Sequence, residues 1–89
     1  MATYDELMTA IIKKQISIIG EKVALKMATE VTGIKVDNSG NVTGGNKAKL
    51  EALVDKYKEI AGGVAVLFAK KAIKPLLSGK EDLPNDLRG

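Results

Sequence analysis

Two apolar stripes of helical pitch, set on either side of a glycine- and asparagine-rich centre, govern what this chain can fold into. The first runs through Met8, Ile11, Ile12, Ile16, Ile19, Val23, Met27 and Val31, with Gln15 beside Ile16. Spacings of three and four place these side chains on one face of an α-helix. The second runs through Leu50, Leu53, Val54, Tyr57, Ile60 and Ala61. It continues past Gly62-Gly63 to Val64, Ala65, Phe68, Ala72, Ile73 and Leu76. A half-buried strand repeats every two residues and fits neither series.

Local signals bound the stripes. Thr3 and Glu6 have capping-box spacing, and Asp5 with Glu6 puts negative charge at the positive end of a helix. Gly20 interrupts the first stripe. A mid-helix glycine costs about 1 kcal/mol against alanine, so it marks a break or a close approach of two backbones. The favoured reading is one long helix, bent at Gly20 and ended by Thr32-Gly33. Asn46 is a good N-cap for the second helix, which ends near Lys74 because Pro75 cannot continue it. The run Gly63–Ala69 is apolar throughout and also fits a buried strand; the helical phase kept on both sides favours helix.

Between the helices, the segment from Ile34 to Thr43 alternates apolar and polar residues around Asp37-Asn38-Ser39-Gly40-Asn41, the pattern of a β-hairpin. Gly40 or Asn41 would take the positive φ. An isolated hairpin is hardly stable in water, so Ile34, Val36 and Val42 should cover the helix ends or pair with another chain. From Ser78 onward there is no periodic face. The expected organisation is one helix–hairpin–helix domain over 1–77 and a tail over 78–89, read as flexible with a short docking segment as the alternative.

A shift of forty-one residues lays Ile19, Val23, Ala24 and Ala28 over Ile60, Val64, Ala65 and Ala69. This echo suits either a duplicated helix or two amphipathic helices of similar composition. Under both readings the glycines suggest close backbone packing near Gly20 and Gly62.

An unbroken helix from Tyr4 to Val31 would extend about 40 Å at 1.5 Å per residue, too long for one small domain to cover. With no cysteine to add a disulfide, self-association is the simplest way to bury the remainder. The expected assembly is a C2 homodimer forming a dimeric helical bundle. The alternative is that both glycine sites break the chain into four shorter helices around a monomeric core. The interface residues proposed for the dimer are Ile16, Ile19, Gly20, Val23, Met27, Ile60, Val64, Phe68 and Ala72. Val23→Asp is expected to dissociate or unfold it by burying an unpaired charge.

The composition excludes several chemistries. Without cysteine or histidine there are no thiolate or imidazole metal ligands and no histidine-activated serine. The hairpin turn resembles the start of a calcium loop, but Val42 stands at the sixth position and Ala48 at the twelfth, where glycine and glutamate are needed. Gly44-Gly45-Asn46-Lys47 precedes a helix N-terminus but lacks a Walker pattern. Asp5, Glu6, Glu21, Glu30, Glu51, Asp55 and Glu59 fall on polar helix faces among lysines. Neither an enzyme nor a cofactor-binding protein is expected.

Thirteen of the fourteen basic residues are lysines, and the net charge is +3. Lys13, Lys14, Lys70, Lys71 and Lys74 form the candidate surface for an anionic partner. The absence of arginine from the folded part and the scarcity of aromatics argue against base readout and base stacking. A membrane-surface role for the same lysines would lack interfacial aromatics. The N-terminus does not resemble a signal peptide, and no uncharged run approaches the roughly 18–20 residues of a membrane span. A cytoplasmic, non-enzymatic homodimer offering itself to a protein partner is the expectation. A small basic nucleic-acid-binding protein is the alternative.

Overall fold

Two glycines with positive φ divide the helices. In the computed structural model, which describes residues 1–88, Gly20 adopts φ 91° and ψ 154°, and Gly62 adopts φ 59° and ψ −137°. Only glycine enters such conformations without a steric cost from its side chain. The first stripe is therefore two helices, α1 (Tyr4–Ile19) and α2 (Glu21–Thr29), rather than one bent rod. The second is likewise α3 (Lys47–Ala61) and α4 (Gly63–Ile73). Gly63–Ala69 lies within α4, so its helical phase prevails over the strand reading.

Close backbone packing is not what these glycines provide. A Cβ built at Gly20, Gly62 or Gly63 would meet nothing within 4 Å. Their contribution is direction: each lets the chain turn and lay its second helix back on the core. The molecule measures 32 × 26 × 19 Å, shorter than an unbroken first helix would have been.

The caps follow their local signals. Thr3 Oγ1 accepts from the Glu6 N–H at 3.1 Å, and Glu6 Oε1 accepts from the Thr3 N–H at 2.8 Å. Asn46 Oδ1 accepts from the Lys49 N–H at 2.9 Å. Pro75 falls in a 3₁₀ turn, Lys74–Leu76, just past α4.

Strands β1 (Lys35–Val36) and β2 (Val42–Thr43) form the expected antiparallel hairpin, with Lys35 opposite Thr43 and Val36 opposite Val42. Gly40 takes the positive φ, 91°. Asp37 organises the turn by accepting from the backbone N–H groups of Ser39 and Asn41 and from Asn41 Nδ2, each at 2.9 Å. These bonds, led by the Asn41 side chain, hold its carboxyl below the usual range. The hairpin packs within its own chain: the Val42 N–H donates to Thr9 Oγ1, Val42 is buried, and Ile34 and Val36 lie against the core.

Four helices share that core. Leu7, Met8, Ile11 and Ile12 of α1 meet Leu50, Leu53, Val54 and Tyr57 of α3, with Ala24, Ala28, Ala65, Ala69 and Ile73 closing it from α2 and α4. Tyr57 reaches across to donate its hydroxyl to the Ala24 carbonyl at 2.8 Å, and burial pushes its pKa up. The internal echo acquires a structural form. Ala24 and Ala65 are both buried, as are Ala28 and Ala69, while Val23 and Val64 both remain exposed.

The segment expected to be a flexible tail is packed down. Leu83, Pro84 and Leu87 are buried, and a 3₁₀ turn forms at Asn85–Leu87. Lys47 pairs with Asp82 at 3.1 Å and Lys58 with Asp86 at 2.9 Å, so this segment follows α3 along its length. Isolated leucines carry no periodic signal, yet burying each one favours docking by about 1.5–3 kcal/mol.

Candidate functional site

Helix direction brings both glycine breaks to one end of the molecule. Lys14 Nζ lies 5.8 Å from the centre of the Phe68 ring, while Leu76 shares a groove with Glu6 and Ala10. Thus α4 runs antiparallel to α1. Lys49 reaches the Gly33 carbonyl at 3.0 Å and Tyr57 reaches that of Ala24, so α3 runs antiparallel to α2. The end of α1, the start of α2, the end of α3 and the start of α4 consequently meet.

Most of the large aliphatic side chains left exposed are at that end. Ile18, Val23, Ile60, Val64 and Leu67 are each two-fifths or more exposed, Val64 the most at 52%. Three of the proposed interface side chains, Val23, Ile60 and Val64, belong to this patch, with Gly20 exposed beside them. Ile16, Ile19, Met27 and Ala72 are instead partly buried against their own core, and Phe68 is half-buried under Lys14 and Lys71. Ile18 and Leu67 were absent from the proposed set. Each lies one residue off the main stripe, where a helical wheel signals only a widened arc.

The flank made by α1 and α4 differs in charge. No carboxylate occurs between Leu7 and Gly20 or between Ile60 and Lys80. Lys13, Lys14, Lys70, Lys71 and Lys74 all lie in these stretches, and none forms an ion pair among the described residues. The rest of the chain holds all eleven carboxylates. The five expected basic residues are not all brought together: Lys14 and Lys71 lie over Phe68 and Lys70, Lys71 and Lys74 line one cleft, whereas Lys13 lines another with Asp5 and Glu6.

The main clefts differ in whether their polar groups are already committed. One of about 440 Å³ beside α1 includes Asp5, Glu6 and Thr9. Asp5 Oδ1 accepts from the Gly45 N–H at 2.6 Å, Glu6 caps its helix, and Thr9 holds Val42. The Asp5 carboxylate therefore takes up the Gly45 N–H, while Asn46 caps the start of α3. A second cleft, about 360 Å³, includes Glu81 and Asp82. Glu81 is bound by Ala2 and Ser78, and Asp82 by Lys47 and Arg88. The third, about 290 Å³, lies between α4 and the docked C-terminal segment and carries Lys70, Lys71 and Lys74.

Comparison with protein-family models, curated proteins and solved structures finds no match. Among the described residues, no three Asp or Glu side chains gather as a metal-binding group, and no helix is long and apolar enough to cross a membrane. The chemistry on offer is an apolar end and a basic flank.

Proposed function

We propose that the protein is a non-enzymatic interaction module that pairs with a second copy of itself through the apolar end where α1, α2, α3 and α4 meet. The observation that carries this reading is the gathering of Ile18, Val23, Ile60, Val64 and Leu67 around the two glycine breaks. A twofold contact needs a surface complementary to itself. The patch has the right character, because Val23 and Val64 occupy equivalent positions in the two helix pairs. Its rim also carries both signs, with exposed Glu21, Lys22 and Glu59.

Magnitudes make the dimer weak. Ten half-exposed side chains, five from each copy, would contribute roughly 1 kcal/mol apiece. Association costs about 4–15 kcal/mol in lost freedom. Sedimentation equilibrium should show a monomer–dimer mixture shifting with micromolar to millimolar concentration. Because Val23 is exposed in the protomer, Val23→Asp should abolish dimerisation without unfolding the chain. The unfolding expected from the sequence disappears along with the unbroken helix. A single-copy mass at every concentration, or an unchanged mass for Val23→Asp, overturns the reading.

The lysines of α4, with Lys14 beside them, support a second reading, nucleic-acid binding through Lys14, Lys70, Lys71 and Lys74, with Lys13 further along α1. Its signature is affinity for duplex DNA or RNA that falls steeply with salt.

A further inference from the structure

We propose that the two copies of the dimer pair crosswise. The α1–α2 break of one lies against the α3–α4 break of the other, with Lys22 beside the partner's Glu59 and Val23 on the partner's Val64. This register presupposes the dimer proposed above. The apolar end consists of two halves related by the forty-one-residue echo, in which Val23 of α2 and Val64 of α4 hold equivalent places and are both exposed. Around these valines the halves differ in charge. Where the first has Ile18, the second has Glu59; where the first has Lys22 and Lys26, the second has Gly63 and Leu67. Lys22, Lys26 and Glu59 are all exposed, and none forms an ion pair among the described residues. The α3 lysines near Glu59 are already answered, Lys56 by Glu30 and Lys58 by Asp86. Glu21, beside Lys22, sits in the first turn of α2, at the positive end of that helix. The first rim is therefore basic and the second acidic.

A twofold axis makes each contact occur twice, so any preference between registers is doubled. Pairing like halves would set Lys22 against Lys22 and Glu59 against Glu59, two repulsive contacts. Pairing unlike halves sets Lys22 against Glu59 at both. The aliphatic centre does not discriminate, because valine meets valine in either register. It supplies the attraction and leaves the choice to the rim. Rim charges select partners in this way even where they add little affinity, by repelling the wrong arrangement as well as favouring the right one. The echo thereby acquires a use. Two similar aliphatic centres let the halves exchange partners, and opposite rims decide the exchange.

Two experiments on the full chain test the register. The first is charge reversal, read by sedimentation equilibrium at low salt. Lys22→Glu and Glu59→Lys should each weaken the dimer roughly tenfold, since two rim contacts turn from attractive to repulsive. The double variant Lys22→Glu/Glu59→Lys should restore the wild-type constant, and the differences should shrink as salt screens the rim. Both side chains are exposed, so circular dichroism and melting temperature should stay constant. The second is cysteine trapping, which a chain without cysteine makes clean. An equimolar mixture of Val23→Cys and isotopically labelled Val64→Cys is oxidised and weighed by mass spectrometry. Mixed disulfide dimers should exceed the half expected from random collision. Excess dimers of each variant with itself, or a double charge variant no tighter than its singles, overturns crosswise pairing and leaves the dimer in the like-with-like register. A wild-type mass of one copy at every concentration overturns the register and the dimer together.

Discussion

The two ends of this helical bundle are built by opposite means. At one end, Gly33, Gly44 and Gly45 are packed hard against their neighbours, Gly79 alone is open, and polar groups tie the chain together. Gly45 lies against Asp5 and Met8, Lys49 Nζ donates to the carbonyls of Gly33 and Gly44, and Tyr4 donates its hydroxyl to the Asp82 carbonyl. At the other end, Gly20, Gly62 and Gly63 have empty space where a Cβ would stand, and aliphatic side chains face outward. The same residue type thus serves two purposes. Packed glycines close the fold, and open glycines only steer it. The difference implies that stability resides at the tied end and that the hinge end is available for contact with other molecules.

The largest effect should come from truncating matched apolar residues at the two ends. Met8 is fully buried beneath Gly45, whereas Val64 is half exposed. Met8→Ala should cost about 2–5 kcal/mol in chemical denaturation of the monomer, as for other buried long side chains. Val64→Ala should change it by less than about 0.5 kcal/mol. Similar losses at both sites would show that the hinge end supports the fold as much as the tied end does.

The glycines themselves should give a smaller contrast of opposite sign. A Cβ at Gly45 would stand 2.7 Å from Asp5 Oδ1 and 2.8 Å from Met8 Sδ. Gly45→Ala should therefore destabilise by about 1–3 kcal/mol, the usual range for overpacking. Gly63 begins α4 with no positive φ and nothing nearby. Gly63→Ala should stabilise by about 0.4–1 kcal/mol through the unfolded chain. Equal signs in the two melting curves would dissolve the distinction between packed and open glycines.

This asymmetry also separates what could be read in the sequence from what could not. The capping box at Thr3 and Glu6, the N-cap at Asn46, the hairpin turn and the α4 helix all depend on neighbours within a few residues, and all were legible. The break at Gly20 was not, because the apolar stripe keeps helical phase across it and glycine is compatible with either outcome. Docking of Leu83 and Leu87 was open but undecided, since two leucines four apart in a polar segment show no face until the rest of the core supplies one. The basic flank could be guessed from Lys70, Lys71 and Lys74. The cleft beside them could not, because Leu77 and Leu87 bring its second wall from the docked segment.

The subtlest contrast is in pH response. Glu81 accepts from the Ala2 N–H at 2.9 Å, and also from the Ser78 hydroxyl and the N–H groups of Ser78 and Gly79. These bonds, that of Ala2 foremost, lower its pKa from 4.5 to about 2. A carboxyl whose pKa is depressed on folding stabilises the fold above its ordinary value and loses that contribution as pH falls through the folded one. The tie between the N-terminal residues and the docked segment should therefore loosen between about pH 4.5 and 2. Amide resonances of Ala2 and Ser78 should move over that interval, while those of Val23 and Val64 stay in place. Glu81→Gln should abolish the movement at Ala2, because its amide oxygen accepts the bond without titrating. An Ala2 resonance that tracks pH equally in Glu81→Gln would assign the transition to another group and remove Glu81 from the tied end.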